Sequence, residues 1–323
     1  MISVLGQGVA GLCAATALSE RGLAVEVIVP PDATDPASHL AGGMLAPFCE
    51  GEVAPPAVVA RGQAAVDWWA AHVPGVVRLG TLVLAAPRDQ TELDRFARAT
   101  QGHVWCDPGA LEPDLRGRFV RGLHYATEAH LNPVAALAHL RAGLLARGVI
   151  FRSGPPLGRI VDCRGIAATD RLPDLRAVRG EMVTVLARDV VLARPIRLLH
   201  PRMACYIVPR GDQRYMIGAT MVESGNSGGI TARAMMELLS AAYTVHPGFA
   251  EAEVLATGAG LRPAFPDNLP ALRDDCGHIH LNGLYRHGFL MAPALAEDLA
   301  DNLADDLARH LAANPNQEPT HAD

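Results

Sequence analysis

The sequence predicts an α/β protein whose two domains are interleaved along the chain, one of alternating strands and helices and one richer in β-sheet. Three observations lead to this fold class. The chain has 323 residues, about twice the size of a common single domain. Strand–helix patterns occur at its start, middle and end, and strand-like segments from 180 to 221 stand between the last two. Two domains in simple succession would not produce this order.

The chain begins with a strand–turn–helix–strand unit. Residues 2–5 are an apolar run that predicts a strand, and residues 12–21 have the apolar spacing of a helix that Gly22 ends. Residues 25–29 predict the second strand. A unit of about 30 residues with this order is the framework on which Rossmann-like domains bind dinucleotides.

The turn in this unit carries the glycine pattern Gly6-x-Gly8-x-x-Gly11. Gly6 permits the tight turn, Gly8 lets the backbone approach a pyrophosphate, and Gly11 allows close contact between helix and strand. Free N–H groups at the helix N-terminus then favour the negative charge. The pattern with these flanks predicts a dinucleotide site in a Rossmann-like domain. A tight turn in an unrelated α/β protein is the alternative.

The later elements follow from periodicity and from turn residues, which cluster at 30–38. Helices are predicted at 57–72, 91–100, 133–147, 232–243 and 292–310, and strands at 81–85, 149–151, 160–163, 181–187, 205–208, 214–218 and 279–282. The polar tail 311–323 is expected to be disordered. The predicted nucleotide-binding domain comprises residues 1–80, 130–176 and 257–310, and the predicted β-sheet-rich α+β domain comprises residues 81–129 and 177–256.

The end of the second strand lacks an acidic residue. In dinucleotide-binding domains a Glu or Asp at this place bonds the ribose hydroxyl, whereas here Val29 and Pro30 stand there. Either Asp32 takes this place from the following loop, or the ribose lacks the contact. A lost charged hydrogen bond would weaken binding by about 1.5–3 kcal/mol.

Charge and composition exclude several classes of function. The net charge is −6, and all 28 basic residues are arginine, without a basic run. Nucleic acid and anionic membranes are therefore not expected as partners. Without lysine the chain cannot use a Schiff-base lysine, a P-loop lysine or a lysine general base.

The six cysteines are scattered and show neither CxxC nor metal-ligand spacing. We therefore expect free thiols, no metal site and a cytoplasmic location. The apolar start of the chain lacks a basic region and contains three glycines, so it predicts a buried strand entering a helix rather than a signal peptide. No segment is predicted to span a membrane.

Four further segments occur in an order that identifies a family. They are Ala41-Gly42-Gly43-Met44-Leu45-Ala46-Pro47, Cys205-Tyr206-Ile207-Val208-Pro209-Arg210 with Ile217-Gly218-Ala219-Thr220-Met221, Gly260-Leu261-Arg262-Pro263, and Gly283-Leu284-Tyr285-Arg286-His287-Gly288-Phe289-Leu290-Met291-Ala292-Pro293. From residue 1 to about 305 the chain resembles the D-amino-acid oxidase family of flavoenzymes, and within it the glycine oxidases of thiamine biosynthesis.

The resemblance implies non-covalently bound FAD between the two domains. The residues expected at the cofactor are Gly6, Gly8, Val9, Ala10, Gly11, Ala37, Ser38, Gly42, Gly43, Met44, His287, Gly288, Phe289 and Leu290. The chain departs from the family in the short segment between Phe151 and Val161 and at Cys163-Arg164-Gly165. We expect these departures to alter the outer edge of the flavin site.

The resemblance also implies the reaction, an oxidative deamination of glycine or a small amine-bearing acid. Hydride passes to the flavin, O2 reoxidises it to give H2O2, and the imine product feeds the thiazole of thiamine. No side chain is expected to act as a catalytic acid or base, His287 included, because the flavin carries the chemistry. Relatives also suggest a homo-oligomer.

The substrate carboxylate needs a handle, and a guanidinium fork matches it in two hydrogen bonds. We expect Arg262, Arg286 and Tyr206 to bind it and Met221 to line the pocket. The alternative for Arg262 is a structural arginine, and the alternative for Arg286 is a contact at a helix terminus. Tyr206 and Met221 could instead be ordinary core side chains. Glu50 and Glu52 are expected at the surface.

Three other functions stay open. A D-amino-acid dehydrogenase would keep the fold and change the electron acceptor. A sarcosine-oxidase-like enzyme is disfavoured because that branch typically places a lysine beside the flavin, and this chain has none. A non-catalytic flavin-binding subunit would explain Val29 and the short segment after Phe151, but it would not need an arginine–tyrosine clamp.

Overall fold

The structure of the protein, a computed structural model, describes residues 1–30, 37–200 and 205–313. Its strands are β1 Ile2–Leu5, β2 Val25–Ile28, β3 Met44–Leu45, β4 Thr81–Ala85, β5 Val104–Cys106, β6 Gly122–Tyr125, β7 Ala129–His130, β8 Ile150–Arg152, β9 Arg159–Asp162, β10 Arg176–Leu186, β11 Ile196–Leu199, β12 Cys205–Pro209, β13 Arg214–Gly218, β14 Val222–Glu223, β15 Glu253–Ala264, β16 Ala271–Asp275 and β17 His278–Asn282. Its α-helices are α1 Val9–Glu20, α2 Pro47–Glu50, α3 Pro56–Gly62, α4 Ala65–His72, α5 Gln90–Ala99, α6 Pro108–Leu111, α7 Pro133–Ala146, α8 Ala232–Val245 and α9 Gly288–Ala313.

The first sheet has the order β16-β17-β9-β1-β2-β8. The strands from β17 to β8 are parallel, and β16 adds an antiparallel edge. Strands β1 and β2 are almost entirely buried, as expected for parallel strands covered on both faces. The apolar helix α1 packs against α9 and α7. This sheet has the strand–helix arrangement predicted for the Rossmann-like part of the chain.

The second sheet has the order β14-β10-β13-β12-β11-β4-β6-β5, with β15 also paired to β10. Its pairs are antiparallel except for β11 and β4. Helix α8 covers the sheet through a separate apolar core that includes Leu238, Ile207 and Tyr215. A two-stranded pair, β3 and β7, joins Met44 to His130. The α/β fold with a β-sheet-rich α+β part is confirmed.

Local sequence explains where the main helices begin. Asn132 accepts hydrogen bonds from the N–H groups of Val134 and Ala135, and Pro133 occupies the first position of α7. Thr231 accepts from the N–H of Ala234 and caps α8 in the same way. These polar caps lie where the sequence predicted helix starts.

Three differences from the predicted elements have physical causes. The helix predicted at 57–72 is two helices, α3 and α4. Strand β15 was not predicted, because its alanine, glycine and proline residues show no alternation of apolar and polar side chains. The domain boundary predicted at 257 falls inside β15, which pairs with β10 over its length, so residues 257–264 lie in the second sheet. The full division into two domains stays a prediction.

The connection between β8 and β9 is as short as the sequence indicated. It crosses the sheet with residues 153–158, and the N–H of Leu157 bonds the buried side chains of Ser3 and Glu26. The prediction that the tail 311–323 is disordered was wrong for residues 311–313, which belong to α9. Residues 314–323 lie outside the described residues. Within the described ranges, no helix is long and apolar enough to cross a membrane.

Candidate functional site

The glycine turn after β1 leaves the start of α1 open to a ligand. Gly6 has a φ of +102°, which favours glycine. A Cβ atom on Gly11 would overlap the carbonyl oxygen of Gly6, so helix and turn meet only because residue 11 has no side chain. The first turn of α1 contains no acidic residue. Backbone N–H groups and the helix dipole are therefore available to a pyrophosphate.

A second helix begins beside the first. A Cβ atom on Gly288, the first residue of α9, would lie 3.2 Å from Cγ1 of Val9 in α1. The indole Nε1 of Trp69 donates to the carbonyl of Phe289 at 2.7 Å and fixes this end of α9. The N–H of Val9 donates to the hydroxyl of Ser38 at 3.0 Å. Two helix N-termini and Ser38 thus lie together, and both helix ends favour negative charge such as that of a pyrophosphate.

The small-residue segment is held by its backbone. Gly43 has a φ of +64°, and its carbonyl accepts from the N–H of Leu131 at 2.9 Å. The guanidinium of Arg210 donates to the carbonyls of Ala41 at 3.1 Å and Gly42 at 2.9 Å. Burial lowers the pKa of Arg210 to about 10. Sequence reasoning gave Arg210 no role; its place directly after β12 in the matched motif was the available signal.

Tyr206 stands between two glycines. A Cβ atom on Gly42 would lie 2.8 Å from its ring, and one on Gly218 would lie 3.1 Å from it. Burial raises the pKa of Tyr206, while the nearby charges of Arg262 and Arg286 oppose that rise. The charges of both guanidinium groups therefore reach the phenol.

Arg262 reaches the same place from β15. Its guanidinium crosses Gly180 on the neighbouring strand, and its Nη1 donates to the carbonyl of Thr220 at 3.0 Å. The structure thus brings Arg262, Arg286 and Tyr206 together, although they come from three distant parts of the chain. Two guanidiniums beside a phenol are a donor set suited to a carboxylate.

Glu50 also belongs to this cluster, so the expectation of a surface position was wrong. Arg286 donates from Nη2 to Oε1 of Glu50 at 3.1 Å, and its Nε lies 2.9 Å from Oε2. Burial would raise the pKa of Glu50, but the charges of Arg286 and Arg197 hold it below its usual range.

Glu52 is likewise largely buried rather than exposed. Its carboxylate accepts from Arg197 at 2.9 Å and from Arg95 at 2.8 Å. Arg197 lies on β11 and is itself buried. Apolar β-strand context around Arg197 hid this ion pair from sequence reasoning, because the partners are 145 residues apart.

Met221 lies at the exposed margin of the cluster. It is 53% exposed, which excludes the core alternative. The hydroxyl of Tyr285 donates to its sulfur at 3.3 Å, and Nη1 of Arg286 lies 3.9 Å from it. A cavity of about 390 Å³ adjoins Met221 and Thr220 on the side of α8, but Arg262, Tyr206 and Arg286 do not line it. The donors suited to a carboxylate therefore lie at the charged cluster and not at this cavity.

His287 contacts the cluster from the start of α9. Its Nδ1 lies 3.4 Å from Oε2 of Glu50. Burial lowers the pKa of His287, Arg286 adds to this effect, and Glu50 opposes it. The lowered pKa makes His287 poorly suited to hold a proton near neutral pH.

The end of β2 provides no substitute for the missing acid within the described residues. The N–H of Val29 donates to the carbonyl of Arg152. Glu26 is already bonded to the Ser3 hydroxyl at 2.6 Å and to Nε of Arg152 at 2.7 Å. Asp32 lies outside the described residues.

The segment after β9 also differs from small-residue turns. Arg164 forks the buried carboxylate of Asp162 and reaches Asp170 at 2.9 Å. Both carboxylates therefore fix the guanidinium of Arg164. The backbone of Arg164 lies beside the glycine turn, because a Cβ on Gly6 would be 3.4 Å from the Cα of Arg164. The segment Cys163-Arg164-Gly165 therefore fits beside the glycine turn after β1, and the turn stays open.

Comparison with known proteins agrees with this geometry. The sequence profile of the family described as FAD-dependent oxidoreductase, DAO, matches residues 1–302. A protein of Rhizobium etli, whose name describes it as a putative thiamine biosynthesis oxidoreductase, ThiO, is 54% identical over 91% of this chain and 94% of its own length. The glycine oxidase structure of Bacillus cereus matches with a TM-score of 0.80 at 21% identity, over 100% of this chain and 99% of that one. The iminodiacetate oxidase structure of Chelativorans matches with a TM-score of 0.81 at 21% identity, over 100% and 97%. The two structures support the fold alone.

Proposed function

Because the chain belongs to the DAO family of FAD-dependent oxidoreductases, we propose that it oxidises the amine of glycine or of a similarly small amino acid. The observation that carries this proposal is the cluster of Arg262, Tyr206 and Arg286 beside the glycine-rich segments. It supplies donors for one carboxylate next to the place where the cofactor residues meet. The 54% identity to the Rhizobium ThiO protein supports a role in thiamine biosynthesis.

The residues that would hold FAD fit such a group. The open N-termini of α1 and α9 suit its pyrophosphate and ring, and we assign Gly42 and Gly43 of the small-residue segment to the same site. Bound without a covalent link, FAD supplies the hydride acceptor. Ser38 lies beside the first turn of α1, and Arg210 keeps the segment 41–42 in position. We assign Ala37 and Met44 to the same site.

The protein's own contribution is to orient the substrate and to exclude water. Arg262 directs its free N–H groups to the substrate carboxylate while one N–H stays bonded to Thr220. Tyr206 adds a hydroxyl donor, and burial keeps that hydroxyl protonated. Fixing the carboxylate at one end leaves the amine and the adjacent C–H directed toward the cofactor.

O2 as the acceptor, release of H2O2 and delivery of the imine to thiazole formation complete the proposal. A homo-oligomer in the cytoplasm is the assembly that we propose. Loss of the carboxylate donors would be expected in a non-catalytic subunit, and this chain keeps them.

An absorbance spectrum followed by anaerobic titration tests the proposal. The purified protein should be yellow, release its flavin on denaturation, and bleach when glycine is added. Admission of air should restore the spectrum and form peroxide. D-Alanine and sarcosine, titrated in parallel, rank the substrates. Bleaching with glycine but reoxidation only by dyes would indicate a dehydrogenase, and a colourless protein would refute the proposal.

A further inference from the structure

Glu50 is a carboxylate inside the cluster that would bind the substrate carboxylate. It is the last residue of α2, which directly follows the small-residue segment. Nη2 of Arg286 donates to Oε1 at 3.1 Å, and Nε lies 2.9 Å from Oε2, so one hydrogen bond and a close ion pair join the two side chains. The side chain is only 17% exposed. A close ion pair with this little exposure neutralises the charge of Arg286.

Arg197, another arginine near Glu50, neutralises the charge of Glu50 less closely than Arg286 does. Nη1 of Arg197 lies 3.7 Å from Oε1 of Glu50, farther than the 2.9 Å that separates Nη2 of Arg197 from Glu52. Glu52 is in turn bonded to Arg95. Arg197 is therefore mainly engaged with Glu52, and Glu50 remains chiefly the partner of Arg286.

Arg262 has a different environment. Its Nη1 donates to a backbone carbonyl, and among the described ion pairs none joins Arg262 to a carboxylate. The cluster therefore offers one guanidinium whose charge is balanced and one whose charge is not. A substrate with one carboxylate completes this set, since its charge balances Arg262 alone.

We propose that Glu50 is a specificity-determining residue that restricts the site to monocarboxylate amines. It does so by occupying Arg286 and by repelling a second negative charge near it. A dicarboxylate would have to displace Glu50 from Arg286 or leave its second carboxylate unpaired beside Glu50. This inference rests on the proposed function of the same site.

Matched substrate pairs test the inference in the holoenzyme. Sarcosine and iminodiacetate share a secondary amine and differ by one carboxylate, as D-alanine and D-aspartate do for a primary amine. The wild-type protein should turn over the monocarboxylate of each pair with the higher kcat/KM. Glu50→Gln keeps the size of the side chain and removes its charge. It should raise the ratio of dicarboxylate to monocarboxylate kcat/KM at least tenfold in one or both pairs.

Glu52→Gln is the matched control, because it removes the same charge two residues away from a side chain that bonds Arg197 and Arg95 instead of Arg286. In Glu52→Gln the ratio of dicarboxylate to monocarboxylate kcat/KM should stay within about threefold of wild type. This is well under the factor of ten that 1.4 kcal/mol represents. An equal rise in both variants would show a general field effect and overturn the assignment. A purely structural loss at Glu50 would lower both kcat/KM values together and leave the ratio unchanged, which would also overturn it.

A measurement on the wild-type protein covers the case in which Glu50→Gln does not fold. Acetate and malonate are titrated against the flavin absorbance at pH 8, where both are fully ionised. Acetate should bind at least tenfold more tightly than malonate, and equal or tighter binding of malonate would refute the role of Glu50. This titration needs bound flavin but no turnover. Absence of glycine oxidation would therefore count against the proposed function, separately from this result.

Discussion

The guanidinium of Arg262 lies across Gly180, at a place where any side chain on residue 180 would overlap it. The two residues are on adjacent strands, β15 and β10, where Gly180 pairs with Gly260 and Arg262 with Val178. Arg262 can therefore lean along its own strand only because residue 180 is glycine. The relationship fixes the height of the guanidinium above the sheet, and with it the position of the carboxylate that Arg262 would bind.

Gly11→Ala should weaken FAD binding at least tenfold. The new Cβ would overlap the carbonyl oxygen of Gly6 and would lie 3.5 Å from Cβ of Cys163, so α1 has to move away from the turn that presents its N–H groups. Overpacking of this kind costs about 1–3 kcal/mol. Reconstitution of the apoprotein with FAD, followed by flavin fluorescence, gives the Kd.

Gly143→Ala is the control for this change. Gly143 is also a helical glycine, within α7, but a Cβ there meets nothing within 4 Å. Alanine should raise the free energy of unfolding by about 0.5–1 kcal/mol, because the helix interior disfavours glycine. FAD affinity should not change. If Gly11→Ala bound FAD like the wild type, α1 would not be the pyrophosphate-binding helix.

Glu128→Gln should alter how stability depends on pH. Burial raises the pKa of Glu128 to about 7 from an ordinary 4.5, against the hydrogen bond that it accepts from the N–H of Cys49. A raised carboxyl pKa means that the folded state binds the proton more tightly than the unfolded chain. This contribution is fully present below pH 4.5 and is lost as pH rises toward 7.

Glutamine cannot ionise, so the variant escapes this loss. At about 1.4 kcal/mol per pKa unit, its free energy of unfolding relative to wild type should rise by roughly 3 kcal/mol between pH 4.5 and 8 and then level off. Urea unfolding of both holoproteins at four pH values measures the difference. Parallel pH profiles would mean that Glu128 ionises as freely in the folded protein as in the unfolded chain.

Local patterns predicted the parts of the fold that local physics determines. The glycine turn, β12, β13, β17 and the helices α7 and α8 were predicted within a few residues, because periodicity, caps and turn residues act over one element. β15 was missed, since the pairing that makes it a strand comes from β10, some 80 residues earlier in the chain. Strand pairing over such a separation leaves no trace in the composition of the strand itself.

The candidate site likewise combines residues that local motifs predicted with contacts that depend on distant parts of the chain. Arg262, Tyr206 and Arg286 were predicted as a set from motifs, and the structure places them together, although their roles stay predictions. The pairing of Glu50 with Arg286 joins residues 236 positions apart, and Arg210 acts through backbone carbonyls of residues 168 and 169 positions away. Neither relationship has a pattern within one segment, so only the folded chain reveals them.

Arg262→Ala should leave the protein folded and yellow while it loses substrate capture. Its described side-chain bond is one donation to the carbonyl of Thr220, so the fold keeps its cores without the guanidinium. Each charged hydrogen bond to the substrate is worth about 1.5–3 kcal/mol, and two lost together predict roughly a hundredfold or greater fall in kcat/KM for glycine. Arg262→Lys should recover little, because an ammonium cannot reproduce the fork.

Amines without a carboxylate, which serve as the internal control, should be oxidised at nearly unchanged rates. Steady-state kinetics with glycine and with such an amine, alongside the flavin spectrum, decide the matter. Apoprotein or aggregate would make Arg262 structural, and glycine turnover within about threefold of wild type, a change of only about 0.65 kcal/mol, would place the carboxylate on other residues.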